Sequence, residues 1–498
     1  MKKNEIVKLK IVDIGAGGEG IGKVDGFPLF IKDAIIGDEI KAKITKVNKS
    51  HGFARLEEVI APSEYRVEPR CPIARPCGGC QLQEMDYAKQ LEFKENKVFQ
   101  HLKRIGGFSE ELLSEVTEPI IGMETPYHYR NKASFPFGKD KNGEIVTGFY
   151  AGRTHNIIPN IDCVVGVPVN QEVLETIIAY MKSNKIPPYD EVNHTGVVRH
   201  ALIRYGFKTH EIMICLVVNS DESTVLRNVE ELIDEVKKIS GMVSVVVNFN
   251  TKKTNVIMGE ECETLWGKGY ITDILASGEN SEESSEGIKY QISPLSFYQV
   301  NPIQTEKLYD LALDYAGLTG EELVWDLYCG IGTISLFLSQ KAKKVIGVEV
   351  VPQAIEDARE NARINGIENV EFIVGKSEEV FTEYYGEDFA GEEPSKEVEE
   401  GQKKSPEVVV LDPPRKGCDE SLLEAITKVK PERVVYVSCD SATLARDLKH
   451  LCERGYELKR VRATDMFPMT VHVETVALLS KLKSTESIDA EIEQEEKF

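Results

Sequence analysis

The chain has 498 residues, of which 41% are hydrophobic, so it is long enough for two or three domains that each have a core. No run of about 18 apolar residues occurs, and the first residues lack the apolar stretch of a signal peptide. We therefore expect a cytoplasmic protein without a membrane span, whose ten cysteines do not form structural disulfides.

The formal net charge of −22 is concentrated in three stretches that are rich in acidic residues and poor in hydrophobic ones. They are residues 278–286, 377–403 and 484–498. This composition predicts a solvated linker, an acidic insertion and an acidic tail. The rest of the chain is only mildly acidic, so the overall charge does not exclude a nucleic-acid partner.

Residues 1–60 alternate short β-rich runs with glycine turns and show no helix pattern, which predicts a small OB-like barrel. Lysine and arginine slightly outnumber the acidic residues in this segment. The glycines of residues 15–22 do not form a phosphate loop, because no Gly-Lys-Ser/Thr follows and no helix begins there. The segment resembles the TRAM domain, a small RNA-binding barrel attached to RNA-modifying enzymes.

Three cysteines lie within ten residues: Cys71, Cys77 and Cys80. Glycines between them let the backbone fold around a centre, which is typical of a metal site. The next cysteine, Cys163, is the candidate for a fourth ligand. This spacing fits a 4Fe–4S cluster and a structural zinc ion equally well.

A helix pattern covers residues 87–104, and residues 127–290 show strands and helices typical of an α+β domain. We assign residues 61–287 to this central domain, which carries the cysteine site. Arg130, Lys132 and Arg153 are close in sequence to Cys163. They suit RNA contacts and ordinary surface salt bridges about equally.

Residues 288–483 alternate seven strands with helices, which predicts a Rossmann-like α/β domain with an antiparallel last strand. The predicted strands are residues 323–328, 345–348, 370–374, 408–411, 434–437, 457–462 and 475–482. Asp412 follows the fourth strand and Cys439 follows the fifth. In such sheets ligands bind beyond the carboxyl ends of the strands, so both residues are candidates for the site.

A glycine turn with Gly330 and Gly332 follows the first of these strands, and Glu349 ends the second. The turn lets the backbone approach a cofactor, and the acid can accept hydrogen bonds from ribose hydroxyls. Both features fit a dinucleotide or S-adenosylmethionine (SAM). Ser335 stands where a dinucleotide fingerprint has its third glycine, which favours SAM.

A methyltransferase with a cysteine at a strand end suggests methylation of an unactivated carbon, such as carbon 5 of uracil. A thiolate that adds to carbon 6 makes carbon 5 nucleophilic, and a base must later remove the proton from carbon 5. His472 and Glu474 are candidates for this base. Because they are two residues apart, we predict that they share one face of a strand.

Three motifs resemble the signatures of RNA uracil-5-methyltransferases: DPPRKG at residues 412–417, VSCD at 437–440 and HVETVALL at 472–479. The resemblance implies that Cys439 is the nucleophile and Glu474 the base. The resemblance also implies that SAM is bound by Gln299, Tyr328, Glu349 and Asp412. It implies that a 4Fe–4S cluster is bound by Cys71, Cys77, Cys80 and Cys163. Tyr328 stands where many members have Phe, and the acidic insertion and tail depart from the family pattern.

The barrel and the four cysteines point to the branch of this family that acts on 23S ribosomal RNA. We therefore expect a monomeric enzyme that methylates carbon 5 of a uridine flipped out of structured RNA. One alternative is an enzyme of the transfer-RNA T-loop, whose relatives generally lack the barrel and the cluster. Another alternative is a non-catalytic iron–sulfur protein that binds RNA.

Overall fold

A computed structural model of the chain describes residues 1–152, 154–278, 287–386 and 405–482. Arg153, most of the predicted linker, the second part of the acidic insertion and the acidic tail lie outside the described residues. Within the described ranges, no helix is long and apolar enough to cross a membrane.

The N-terminal segment forms a closed five-stranded barrel with the order β1-β2-β3-β5-β4, which confirms the predicted OB-like fold. Leu29 and Ile31 point into the barrel and are fully buried, while their neighbours on the same strand point outward. The strands are β1 Ile6–Ile14, β2 Gly20–Val24, β3 Phe27–Lys32, β4 Glu39–Val47 and β5 Gly52–Ala61.

The helix predicted over residues 87–104 is present, and its first turn is capped by the Asp86 side chain, which accepts the Ala88 N–H at 3.0 Å. The elements that follow the barrel are α1 Tyr87–His101, a π-helical turn Leu102–Gly106, α2 Glu110–Val116 and β6 Thr117–Ile121. Strand β6 joins the edge of the C-terminal sheet, not the central one. Part of the interval that we assigned to the central domain therefore belongs to the C-terminal sheet.

The central domain is a seven-stranded sheet with the order β13-β12-β11-β10-β7-β8-β9, followed by the separate pair β14-β15. Its strands are β7 Lys132–Lys139, β8 Ile145–Tyr150, β9 Ile157–Pro159, β10 Val198–Tyr205, β11 Ile212–Val218, β12 Met242–Phe249, β13 Glu261–Gly267, β14 Ile271–Leu275 and β15 Ile288–Ile292. Helices α3 Val169–Ser183 and α4 Val229–Val236 pack on the sheet, and a 3-10 turn spans Ser223–Val225.

The C-terminal sheet has the order β18-β17-β16-β19-β20-β22-β21-β6. Its strands are β16 Leu323–Leu327, β17 Lys344–Glu349, β18 Val370–Val374, β19 Val408–Leu411, β20 Arg433–Ser438, β21 Tyr456–Thr464 and β22 Glu474–Lys481. The helices of this domain are α5 Pro302–Ala316, α6 Thr333–Ser339, α7 Pro352–Ile364, α8 Ser377–Tyr385, α9 Glu420–Val429 and α10 Ser441–Cys452. The seven predicted strands are all present, and β22 is antiparallel to both neighbours as expected.

Both faces of this sheet are covered at its centre, and this explains the continuous apolar run of β19. Val408 and Val410 of β19 belong to the core on one face, and Val409 and Leu411 belong to the core on the other face. Successive side chains of a strand point to opposite faces, so β19, which is buried on both sides, is apolar at every position.

The prediction of a solvated loop over residues 377–403 is wrong for its first part. Residues 377–385 form α8, and Phe381 is fully buried with its ring edge-on to Trp325 at a centroid distance of 5.1 Å. Acidic residues such as Glu378 and Glu379 are in its first turn. The prediction of a loop was based on the high content of acidic residues, and the few apolar residues of this short helix do not change that overall composition.

Candidate active site

A cavity of about 830 Å³ lies at the carboxyl-end edge of the C-terminal sheet. All six residues predicted for catalysis and SAM binding line it: Cys439, Glu474, Gln299, Tyr328, Glu349 and Asp412. Four of them end or follow parallel strands, and Glu474 begins β22. Because β22 is antiparallel, its first residue lies at the same edge as the last residues of its neighbours.

The glycine turn after β16 forms one wall of the cavity. A Cβ added to Gly332, which has a φ of +81°, would lie 2.9 Å from the Phe372 ring, so this position requires glycine. Glu349 accepts hydrogen bonds from the N–H groups of Gly330 at 3.3 Å and Val351 at 3.0 Å. These contacts fix the carboxylate at the end of β17, where a ribose could be bound.

Asp326 is a further candidate that we did not predict as a site residue. It is fully buried, and one carboxylate oxygen accepts the Ser335 hydroxyl at 2.5 Å. The other oxygen, Oδ1, has no hydrogen-bond partner among the described residues, although Asp326 lines the cavity. A bound ligand can supply the missing donor, which buried polar groups normally have.

Tyr328 has a backbone conformation that is rare for a residue with a side chain. Its φ is +78°, and the N–H groups of Tyr328 and Cys329 both donate to the Val348 carbonyl, at 3.0 and 2.9 Å. Such conformations persist where the surrounding structure holds them, and they cluster at functional sites. This positive φ makes the sharp change of chain direction between β16 and the glycine turn.

Cys439 follows β20 directly, and the Asp440 side chain caps α10 by accepting the N–H groups of Ala442 and Thr443. Burial raises the pKa of the Cys439 thiol to about 12, and the carboxyls of Glu474 and Asp412 act in the same direction. The Arg415 guanidinium opposes this shift. Without further positive charge, the thiol is therefore neutral at neutral pH.

Glu474 is 2% exposed, and burial raises its pKa to about 8, with a further contribution from Asp412. The prediction that His472 shares a strand face with Glu474 is wrong. His472 precedes β22 and is exposed, although it lines the same cavity. The strand begins only at Glu474, so the two-residue periodicity does not apply to His472.

The loop before β22 is held by buried residues that sequence reasoning missed. Lys94 of α1 and Asp465 are both fully buried and form an ion pair of 2.5 Å. The Tyr87 hydroxyl donates to the second oxygen of Asp465 at 2.9 Å, and Lys94 also donates to the Phe467 carbonyl at 3.0 Å. These partners are more than 370 residues apart, and no local sequence signal indicates the contact.

A second cavity of about 350 Å³ is lined by all four predicted metal ligands: Cys71, Cys77, Cys80 and Cys163. The Gly79 N–H donates to the Cys77 sulfur at 3.4 Å. Burial raises the pKa of Cys80 to about 12, and its three neighbouring thiols act in the same direction. Among the described residues, no three of these thiols lie within 4.8 Å of one another.

The two cavities share part of their walls. Gly79, Arg130 and Thr470 line both of them. Arg130 is half-buried and precedes β7. The pKa of His472 is lowered mainly by burial, then by the positive charges of Arg415, Lys97 and Lys94, and least by that of Arg130. The thiol-lined cavity is therefore adjacent to the candidate active site.

Comparisons with known proteins identify the family of the chain. The sequence model of the tRNA (Uracil-5-)-methyltransferase family matches residues 86–482, and that of the TRAM domain matches residues 2–56. An uncharacterized RNA methyltransferase of Clostridium acetobutylicum is 49% identical over 483 residues, which cover 97% of this chain and 98% of that protein. One of Listeria innocua is 45% identical over 480 residues, covering 96% of this chain and 98% of that protein.

A solved structure also matches nearly the whole chain. It is the tRNA (uracil-54, C5)-methyltransferase of Pyrococcus abyssi in complex with S-adenosyl-L-homocysteine. Its sequence is 27% identical, the TM-score is 0.71, and the match covers 95% of this chain and 100% of that chain. The sheet, the barrel and the sequence matches lead to one conclusion: the chain belongs to the SAM-dependent RNA (uracil-5-)-methyltransferases and carries an N-terminal TRAM domain.

Proposed function

We propose that this enzyme methylates carbon 5 of a uridine in 23S ribosomal RNA through a covalent adduct between Cys439 and the uracil ring. The observation that carries the proposal is that Cys439 and Glu474 line one cavity with the residues expected to bind SAM. A nucleophile and a base on the same small cavity suit a reaction that begins and ends at adjacent ring carbons.

The first half of the reaction needs the Cys439 thiolate. The thiol must lose its proton, and the nearby Arg415 guanidinium favours the charged form. The sulfur then forms a bond to carbon 6 of the flipped uracil, and the electrons of the 5,6 double bond move toward carbon 5 and oxygen 4. Carbon 5 uses this electron pair to take the methyl group. SAM, when bound, would supply that group from its sulfonium, whose sulfur keeps the electrons of the broken sulfur–methyl bond and leaves as a neutral thioether.

The second half needs Glu474. Its carboxylate removes the proton from carbon 5, the 5,6 double bond forms again, and the carbon–sulfur electrons return to Cys439. Burial raises the pKa of Glu474 to about 8, so the group both accepts a proton readily and releases it near neutral pH. A general base is most effective when its pKa is near the working pH.

Gln299, Tyr328, Glu349 and Asp412 are the residues that we propose hold SAM. They surround the glycine turn in the same cavity, and Glu349 is fixed by two backbone N–H groups. The unpartnered oxygen of Asp326 supports a ligand with a hydrogen-bond donor at this position. We expect Asp326 to contribute to the same site.

We propose that Cys71, Cys77, Cys80 and Cys163 hold a 4Fe–4S cluster. A single zinc ion needs sulfurs about 3.8 Å apart, because each lies about 2.3 Å from the metal in a tetrahedral site. Among the described residues, no three of the four thiols lie within 4.8 Å of one another, which favours a group that binds each of them at a separate iron. The Gly79 N–H donated to the Cys77 sulfur suits a metal-bound thiolate.

The target RNA distinguishes this proposal from its main alternative. The barrel and the cysteine set favour ribosomal RNA by the resemblance, whereas the similar solved structure is a tRNA (uracil-54, C5)-methyltransferase. A transfer-RNA T-loop is therefore the second candidate substrate.

Nucleoside mass spectrometry tests both candidates. Ribosomal and transfer RNA from a strain that lacks the gene are compared with RNA from the parent, and each is then incubated with purified enzyme and SAM. We expect 5-methyluridine to be lost from 23S RNA and restored by the enzyme. Loss and restoration confined to transfer RNA would show that the T-loop is the substrate.

A further inference from the structure

We infer that Asp447 is a positioning residue for the nucleophile. It fixes the loop of residues 412–418 on helix α10, and the fixed loop keeps Arg415 beside the Cys439 thiol. We call this segment the 412–418 loop. The inference rests on the proposed function and extends it, because it assigns a residue that supports the nucleophile without contacting the substrate.

The Asp447 side chain is fully buried and accepts three hydrogen bonds. One carboxylate oxygen accepts the Cys418 N–H at 2.9 Å and the Tyr436 hydroxyl at 2.6 Å. The other oxygen accepts the Arg446 Nε–H at 2.7 Å. A buried carboxylate is costly unless it is both paired with a charge and hydrogen-bonded, and here both conditions are met. The carboxylate therefore joins α10 to β20 and to the end of the 412–418 loop.

Three further hydrogen bonds hold the backbone of the loop on the same helix. The Thr443 hydroxyl donates to the Arg415 carbonyl at 3.3 Å. The Arg446 guanidinium donates to the Lys416 carbonyl at 3.0 Å and to the Cys418 carbonyl at 3.4 Å. All three acceptors are backbone carbonyls, so these bonds fix the path of the main chain from Arg415 onward.

Gly417 shows how closely the loop lies on the helix. Its φ is +79°, and a Cβ added to it would lie 2.6 Å from an Asp447 carboxylate oxygen and 3.2 Å from the Thr443 Cβ. Glycine combines this backbone conformation with so close an approach, because it has no side chain. The loop and α10 therefore share one contact surface, in which Asp447 lies.

Helix α10 also follows the nucleophile directly. It begins at Ser441, two residues after Cys439, and the Asp440 side chain caps its first turn. The Thr443 hydroxyl that donates to the Arg415 carbonyl also donates to the Asp440 carbonyl, at 3.1 Å. The nucleophile segment and the loop are therefore both fixed on one helix, and a functional group is held most precisely when the residues behind it are themselves fixed.

Arg415 is the cation that the loop brings to the nucleophile. It lines the same cavity as Cys439, and among the described residues its guanidinium forms no hydrogen bond or ion pair. Burial raises the pKa of the Cys439 thiol most, the carboxyls of Glu474 and Asp412 raise it further, and the Arg415 charge lowers it. If the loop moved away from α10, the two carboxyls would act on the thiol with less opposition from the guanidinium.

The other end of the loop is held without Asp447. The Asp412 N–H donates to the Leu327 carbonyl of β16 at 3.4 Å. Asp412 is one of the residues that we propose hold SAM. Loss of the Asp447 contacts should therefore displace Arg415 and leave the binding of SAM largely unchanged.

The test measures how fast iodoacetamide alkylates Cys439 in the full-length enzyme purified without oxygen, in the absence of RNA. The thiolate attacks the carbon that bears iodine, a carbon–sulfur bond forms and iodide leaves, so the rate follows the thiolate fraction. Mass spectrometry of the Cys439 peptide gives the rate at pH 9 and low ionic strength, where an exposed charge is least screened.

Asp447→Asn keeps the shape of the side chain but turns its amide N–H groups toward a donor, so at least one of the three hydrogen bonds is lost. We expect alkylation of Cys439 to slow about threefold or more, because the thiol loses the nearby positive charge. The Kd for SAM should stay within about twofold of the wild-type value, since the Asp412 end of the loop is held by β16.

Arg415→Gln tests whether Asp447 acts through this cation. We expect it to slow the alkylation by the same factor, and the addition of Asp447→Asn should slow it no further, because the two residues act as one unit. A wild-type alkylation rate for Asp447→Asn would overturn the inference. So would a decrease that is as large in the Arg415→Gln background as in the wild type.

The matched control is Glu322→Gln. Glu322 is a buried carboxylate that precedes β16, at the opposite edge of the sheet, and it accepts the N–H groups of Thr319 and Gly320 at 2.9 and 3.1 Å. We expect this substitution to lower the thermal midpoint without changing the alkylation rate. Equal slowing by Glu322→Gln and Asp447→Asn would show a general loosening of the domain and would contradict the inference.

A second variant makes the test independent of whether Asp447→Asn folds. Arg446→Leu removes the hydrogen bonds to the Lys416 and Cys418 carbonyls, and the Arg446 side chain is 53% exposed, so we expect the fold to persist. It should slow the alkylation of Cys439 in the same direction. If Asp447→Asn does not fold, a wild-type rate in Arg446→Leu overturns the inference.

Methylation assays separate this inference from the proposed function. In single turnovers, Asp447→Asn should lower the methylation rate by about the same factor as the alkylation rate, with the Kd for SAM retained. If the wild type makes 5-methyluridine but Asp447→Asn is alkylated at the wild-type rate, the inference alone fails. If the wild type makes no 5-methyluridine but the alkylation results hold, the proposed function fails and the positioning of Arg415 by Asp447 stands.

Discussion

Gln90 of α1 and Met469 of the loop before β22 are joined by hydrogen bonds in the protein interior. The Gln90 side chain accepts the Met469 N–H at 3.1 Å, and its amide nitrogen lies 3.4 Å from the Met469 sulfur. Met469 has a φ of +68°, and its carbonyl accepts the N–H groups of Gln81 and Leu82, both at 3.0 Å. A strained residue is thus fixed between the segment after the third cysteine and the strand that begins with Glu474.

We predict that Gln90→Leu lowers the rate of methylation about tenfold or more while SAM affinity stays within about twofold. The buried amide also donates to the Leu82 and Met85 carbonyls, so its loss leaves several buried polar groups without partners. Each costs roughly 1–3 kcal/mol, and the loop can relax away from its strained conformation. Single-turnover assays and calorimetric titration with SAM measure the two effects.

Gln100→Leu on the same helix is the control for Gln90→Leu, because the one side-chain partner of the Gln100 amide among the described residues is the exposed Asn96. Its methylation rate should match that of the wild type. Equal loss of rate and of SAM affinity in Gln90→Leu would mean that the contact supports the whole domain and not the loop that leads to Glu474.

We predict that Glu474→Gln accumulates a covalent protein–RNA adduct and that Cys439→Ala forms none. Without the base, the proton on carbon 5 stays, so the carbon–sulfur bond cannot break after methyl transfer. Without the thiol, no bond to RNA forms. The adduct is detected as a slowly migrating band on a denaturing gel, and the double variant should lack it.

Two further variants check the assignment of these roles. Cys329→Ala removes the buried thiol that also lines the cavity, and it should still form the adduct in the Glu474→Gln background. If His472→Ala traps the adduct while Glu474→Gln is fully active, the base is His472. Methylation by Cys439→Ala would rule out the covalent mechanism.

We predict that Glu474 lowers the stability of the fold as the pH rises. Its pKa of about 8 in the folded protein is above its ordinary value of 4.5, so the folded state binds the proton more tightly than the unfolded state. The stability is therefore fully present below about pH 4.5 and is lost as the pH rises toward 8. Glu474→Gln should raise the thermal midpoint by several degrees at pH 8.5 and hardly at all at pH 5. An equal shift at both pH values would contradict this reason.

The acidic insertion should be dispensable only in its second part. Replacing residues 387–404 by a short Gly/Ser linker is expected to keep turnover within a few-fold, since the acidic stretch weakens RNA association slightly if it acts at all. Removing α8 as well should unfold the domain, because Phe381→Ala alone is expected to cost about 3–5 kcal/mol. Denaturant titration and RNA methylation assays compare the two replacements.

Protein purified without oxygen should be brown and contain about four irons per chain, as four thiolate ligands imply. Cys80→Ser should lose iron and stability while SAM affinity is largely kept, because Cys80 does not line the SAM cavity. Cys215→Ser, which changes a fully buried thiol of the central sheet, is the control and should keep its iron. Stoichiometric zinc in a colourless wild-type protein would show that the four thiols hold a zinc ion instead.

The C-terminal sheet and most of the candidate site follow from local patterns in the amino-acid sequence. Asp412, Cys439 and Glu349 each end or follow an apolar strand, and parallel strands bring their carboxyl ends to one edge. The local pattern therefore predicts that these residues lie close together. The cysteine spacing likewise indicated a metal site, because ligands close in sequence need only a short turn to meet.

The contacts between distant segments that support this site are visible only in the folded chain. Strand β6 joins the C-terminal sheet, Gln90 holds Met469, and Lys94 pairs with Asp465, although each pair of partners is hundreds of residues apart. Such contacts depend on the packing of whole elements and leave no local periodicity in the sequence. Helix α8 is a further example. Its acidic residues are typical of a loop, but its apolar face packs through Phe381 against Trp325, a contact between segments distant in sequence.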